Sequence, residues 1–144
     1  MSLGAKIANM ITPYRLLASL AAVALVAFLT MKALRPGSRA PWWGPALASV
    51  LFLGFTAYVV ATEGPLGFWN EHIHDAWGNQ IWIDLLLSCG LGWSVLLPRV
   101  RQVGMRPWAW AIALVLTGSI GLLAMLARLL YLERASTDAG PARA

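Results

Sequence analysis

Residues 45–62 read PALASVLFLGFTAYVVAT, a stretch that carries no charged side chain and is apolar on every side of a helix drawn through it. At about 1.5 Å of rise per residue, such a helix approaches the roughly 30 Å hydrocarbon thickness of a bilayer. The stretch shows no polar stripe of the kind that a surface helix of a soluble domain keeps toward water. Three more stretches have the same character: LLASLAAVALVAFLTMKAL at 16–34, IWIDLLLSCGLGWSVLL at 81–97 and WAWAIALVLTGSIGLLAMLARLLYL at 108–132. Pro36-Gly37, Glu63-Gly64-Pro65 and Pro98-Arg99 punctuate them. Inside a bilayer the backbone polar groups find no water, so each stretch is expected to be a helix. The sequence thus predicts an all-α, integral membrane four-helix bundle in one domain, residues 1–144.

Composition agrees with lipid as the solvent. The chain is 59% hydrophobic and 12% charged, whereas soluble domains average about 45–50% and about 25%. Its mean hydropathy is +0.67. A net charge of +5 would suggest nucleic acid as partner in a soluble chain. Here the basic residues fall between apolar stretches, where membrane insertion uses them; nucleic acid is therefore not expected and the lipid bilayer is. Cys89 is the single cysteine and lies in an apolar stretch, which leaves no intramolecular disulfide and no multi-cysteine metal site to build. Residues 16–34 read as a retained span, because the stretch is long enough to cross and no convincing small-x-small cleavage site precedes Pro36.

Trp42, Trp43, Trp69, Trp77, Trp82, Trp108 and Trp110 fall at or beside span ends, where an indole suits the headgroup region; Trp93 lies within a span. The connection between spans one and two holds Lys32, Arg35 and Arg39, and that between three and four holds Arg99, Arg101 and Arg106. Residues 63–80 hold Glu63, Glu71 and Asp75 and neither lysine nor arginine. The positive-inside rule then puts the basic connections in the cytoplasm and both termini outside. Lys6, Arg15, Arg134 and Arg143 oppose that arrangement.

Asp84 and Arg128 are the charges set deepest in the expected spans, and an unpaired charge in hydrocarbon costs at least about 2.5–3.5 kcal/mol. If spans three and four are antiparallel neighbours, the two stand at similar depth and are expected to pair. Asp84, Ser88, Gly92 and Val95 share one helix face, as do Thr117, Gly121, Ala124 and Arg128. Small residues on both faces would let the helices approach closely, with Ser88 by Ala124 and Val95 by Thr117. A structural ion pair, a proton or substrate path, and an Arg128 that snorkels to the headgroups are the readings of these charges.

Residues 66–78 are expected to form a short amphipathic helix in the outer interface, with Phe68, Trp69, Ile73, Ala76 and Trp77 opposite Asn70, Glu71, His74 and Asp75. Glu71 and His74 have the i, i+3 spacing of carboxylate-histidine metal sites, with His72 and Asp75 beside them. Two histidines in one loop cannot furnish a di-iron site or bis-histidine haem across two helices. Glu71, His72, His74 and Asp75 therefore read as a solvated polar face, a mononuclear or intersubunit metal site, or a partner-docking surface; no metal is assigned.

From Ile81 onward, Asp84 and Ser88, the turn Arg99-Val100-Arg101-Gln102-Val103-Gly104-Met105, Trp108 and Trp110, Gly118-Ser119 and the ending Leu130-Tyr131-Leu132-Glu133-Arg134 resemble a family of small bacterial integral-membrane proteins with a domain of unknown function. The resemblance implies a bacterial plasma-membrane protein with a tight helical hairpin, and it supplies no reaction. Arg128 and the first span depart from the family pattern. No nucleophile elbow, phosphate loop or serine-histidine constellation is present, and the sequence names no cofactor. It points to a non-catalytic accessory or assembly subunit of a larger membrane complex, with a membrane protein or a second copy as partner. The alternative is a binder, carrier or enzyme acting on a lipophilic molecule such as a quinone, carotenoid or lipid, near Asp84, His72 and His74.

Overall fold

The computed structural model describes residues 13–34, 37 and 40–138. Lys6 and Arg143, which bear on the orientation of the termini, lie outside them. Among the described residues there are six helices and no strand: α1 (Pro13–Leu34), α2 (Trp43–Glu63), α3 (Gly67–His74), α4 (Ala76–Gln102), α5 (Pro107–Thr117) and α6 (Ser119–Asp138). Three stretches are long and apolar enough to cross a membrane, Arg15–Leu34, Trp43–Glu63 and Ala76–Gln102. The chain divides into two units, residues 1–39 and residues 40–144. In the first, α1 stands as a single helix. The second contains α2 to α6.

The fourth expected span is not one helix. At Gly118 the backbone takes φ 57° and ψ −127°, a conformation that only glycine adopts without strain. Beyond it, a Cβ built on Gly121 would lie 2.7 Å from the carbonyl carbon and oxygen of Ala113 and 2.9 Å from the Leu114 nitrogen. Eight residues along a straight helix would separate Gly121 from Ala113 by about 12 Å. The chain therefore doubles back at Gly118, and α5 and α6 form a hairpin with their backbones in contact. With 11 residues, α5 is only about 16 Å long and reaches about half of a bilayer's depth.

The hairpin makes α6 the hub of the second unit. Ser49 of α2 donates its hydroxyl to the Ile120 carbonyl at 3.0 Å, and Trp42 meets Tyr131 edge to face with centroids 5.7 Å apart. Going down α2 toward its start thus means going forward along α6, so the two helices are antiparallel. Gly92 of α4 faces Leu122 and Arg99 bonds Glu133, which makes α4 and α6 parallel. The buried cluster is Val100, Met105, Met125 and Leu129, flanked by Trp93, Leu96, Val103, Trp110, Leu122 and Leu132. The start of α2, the end of α4, the start of α5 and the second half of α6 consequently share one end of this unit. The end of α2, α3 and the start of α4 share the other.

This register overturns the expected pairing of Asp84 with Arg128. That pairing required antiparallel helices; in parallel ones Arg128 stands about 20 Å farther along the axis than Asp84. No ion pair within 4.0 Å joins them, and the Arg128 guanidinium lies 5.6 Å from the centroid of the Tyr131 ring. The same reason separates Ser88 from Ala124 and Val95 from Thr117.

Two other boundaries differ from the sequence reading. The short helix expected over 66–78 covers only Gly67–His74, and α4 already begins at Ala76. Asp75 is the break: its backbone is extended, φ −147° and ψ 177°, and its side chain accepts from the Gly78 N–H at 2.7 Å, capping α4. Pro98 does not stop α4, which runs on to Gln102. The stop is Gly104, φ 72°, where the Met105 N–H closes on the Val100 carbonyl at 3.0 Å. This is a Schellman closure, and it delivers Met105 into the buried cluster.

Candidate functional site

At the acidic end, α3 folds against the first turns of α4. The missing side chain of Gly78 permits this, because a Cβ there would collide with the Glu71 carbonyl oxygen. His72 is half-buried between Phe68 and Trp82, with centroids at 6.4 and 5.1 Å, and its Nδ1 lies against the Phe68 carbonyl. Glu71 and His74 are exposed, and Asp75 is engaged as the α4 cap. The four residues are neighbours in sequence without converging. Among the described residues no group of three His, Cys, Asp or Glu side chains is placed to hold a metal ion.

The packing residues read from the sequence have other partners than expected. Gly92 is where α4 receives Leu122, whose Cδ2 would be 2.8 Å from a Cβ there. Gly121 closes the hairpin on Ala113, Thr117 donates to the Ala113 carbonyl at 2.7 Å, and Ala124 is half-buried in α6. Asp84 and Ser88 are exposed on α4.

The opposite end holds what sequence reasoning missed. Arg99 forks onto Glu133, Nε to Oε1 at 2.9 Å and Nη2 to Oε2 at 2.6 Å, and so clips the last turn of α4 to α6. One signal could have found it: Glu133 is the only carboxylate between Asp84 and Asp138. Arg134 lies 3.9 Å from Asp138. Beside the fork, α4 and α5 enclose an open groove of about 340 Å³ lined by Trp93, Leu97, Arg101, Pro107, Trp108 and Ala111. Trp93, Leu97 and Arg101 recur every four residues, so they share one face of α4 and descend from its end into its middle. The groove is indole and aliphatic inside and cationic at its mouth.

The fork yields a measurable expectation. Glu133→Gln removes half of a bidentate, charge-assisted pair. Because both side chains keep a third or more of their surface exposed, solvent screening limits the loss to about 1 kcal/mol. Melting in mild detergent should drop for this variant and stay put for Arg134→Gln, whose pair is long and solvated.

Compared with models of protein families, with characterised proteins and with solved structures, the chain matches none. The resemblance drawn from residues 81–134 therefore carries no family assignment.

Proposed function

We propose that the chain is a non-catalytic accessory or assembly subunit that docks within the membrane against a partner protein or a second copy of itself. The observation that supports this reading is the setting of two glycines, Gly54 in the middle of α2 and Gly90 in the middle of α4. A Cβ at either position would meet nothing within 4 Å. Glycine in a helix interior costs about 0.5–1 kcal/mol relative to alanine, and neither α6 nor any other helix of the unit uses the space. In membrane helices small residues are placed where another helix comes close. Ala57 and Ala61 continue the Gly54 face, and both are exposed. Ser94, one turn beyond Gly90, turns its hydroxyl to the Gly90 carbonyl at 2.8 Å and leaves that face smooth.

Leucine at Gly54 or Gly90 tests this directly. Each variant is expected to melt no lower than the parent chain as an isolated protein, since the new side chain meets open space and leucine favours a helix over glycine. Co-purification of a membrane partner from native membranes, or self-association of the purified chain, should fall about tenfold, the effect of about 1.4 kcal/mol. Undiminished association in both variants would defeat the proposal.

Orientation follows from charge. Among the described residues of the second unit, Arg99, Arg101, Arg106, Arg128 and Arg134 lie toward one end, whereas Glu63, Glu71, Asp75 and Asp84 lie toward the other. We infer that the basic end faces the cytoplasm of a bacterial cell. The C-terminal end of α6 then lies inside, in place of the outside location expected from four full spans. The alternative function, action on a lipophilic molecule, had its site beside Asp84, His72 and His74; the groove of α4 and α5 lies at the other end.

A further inference from the structure

We propose that the groove between α4 and α5 is a binding site for an anionic phospholipid, with its phosphate at Arg101 and an acyl chain running inward past Leu97 toward Trp93 and Ala111. This holds whether or not the chain docks a protein partner. Size is the first argument. About 340 Å³ falls at the small end of the range for ligand sites, about 300–1,000 Å³, and suits one chain rather than a bulky ring system.

Polarity along the groove is the second argument. From Trp93 to Arg101 the α4 wall extends about 12 Å, apolar for its inner part and ending in a guanidinium. On the facing side Ala111 lies deeper than Pro107 and Trp108, and Trp108 is 81% exposed at the mouth. An indole and an arginine at the mouth of an apolar slot match the ester and phosphate region of a lipid above its hydrocarbon.

Charge selects the headgroup. The two carboxylates at this end are already engaged, Glu133 by Arg99 and Asp138 by Arg134. Arg101 and Arg106 make no ion pair among the described residues. An uncompensated guanidinium beside a slot lined by apolar side chains calls for an amphipath with net negative charge. A zwitterionic lipid brings its own cation and would return the charge to the mouth. Arg101 also has a shape argument in its favour, because the planar guanidinium can engage a phosphate with two parallel N–H donors.

The test uses the full chain reconstituted in vesicles of equal parts phosphatidylglycerol and phosphatidylcholine, extracted in mild detergent, with retained lipid identified by mass spectrometry. The parent chain is expected to retain phosphatidylglycerol over phosphatidylcholine by about fivefold, the effect of one arginine at an anionic surface. Arg101→Ala should bring the ratio near one, while Arg134→Ala, outside the groove, should leave it. Ala111→Trp fills the slot and should cut retention of both lipids, with helix content by circular dichroism unchanged. Adding inorganic phosphate should not displace the lipid, since phosphate has no chain for the slot. Equal retention of the two lipids by the parent chain, a preference that survives Arg101→Ala, or displacement by phosphate alone would overturn the proposal.

Discussion

Replacing Gly121 with alanine is expected to destabilise the purified chain by about 2 kcal/mol, within the usual 1–3 kcal/mol for forcing an atom into packed structure. What the new Cβ meets decides the size of the effect. Its neighbours at 2.7–2.9 Å would be the carbonyl of Ala113 and the nitrogen of Leu114. These are backbone atoms held inside α5 by its own hydrogen bonds, so they cannot rotate aside as a side-chain tip would. Relief requires α5 and α6 to part at their closest point, which strips packing from α6, the helix that carries Met125 and Leu129 at 1% and 0% exposure. Leucine at the same position should leave little folded protein. The internal control is Gly90→Ala, where open space awaits the Cβ and helix propensity alone predicts a gain of about 0.5–1 kcal/mol. Thermal melting in detergent separates them, and a Gly121→Ala chain that melts with Gly90→Ala would refute the close hairpin.

The long helices were legible in the sequence because their signal is additive: α2 and α4 are apolar over enough residues that length alone decides their form. Tertiary register has no such signal. Gly118 sits in an apolar run, and glycine is common in uninterrupted membrane helices, so hydropathy reads 108–132 as continuous whether the chain passes straight through or turns back. The side-chain pairings built on that continuity fall with it. The pairing of Asp84 with Arg128 and the facing of Ser88 and Ala124 all assumed an antiparallel fourth span. Gly92 and Gly121 are both sites of close approach, the first to Leu122 and the second to Ala113. A physical clue did exist in Arg128, Glu133 and Arg134, which crowd charge into the second half of α6 and suit a helix that leaves the apolar layer early. The corner at Asp75 was hidden differently: its cap on Gly78 competes with a helix pattern that runs through it, and side-chain capping outranks periodicity at a single residue.

The labelling of a cysteine at position 137 discriminates the hairpin from a fourth span, and the expected effect is all or none. In a chain with Cys89→Ser, single cysteines replace Asn79 at the acidic end, Gln102 at the end of α4, or Thr137 in the last turn of α6. A membrane-impermeant maleimide is applied to intact cells and again after permeabilisation. If α5 and α6 turn back at Gly118, position 137 emerges on the side of position 102, because Arg99 bonds Glu133 and Trp42 meets Tyr131 at that end. A straight helix from 108 to 132 would instead deliver position 137 to the side of position 79. The comparison is independent of which side is the cytoplasm, for it asks only which of two reference positions Thr137→Cys follows. With the basic end inside, Asn79→Cys should label in intact cells, and Gln102→Cys and Thr137→Cys only after permeabilisation. Position 137 labelling together with position 79 would mean that Gly118 is a kink in a spanning helix, and the charge asymmetry of the chain would lose Arg134 from its basic end.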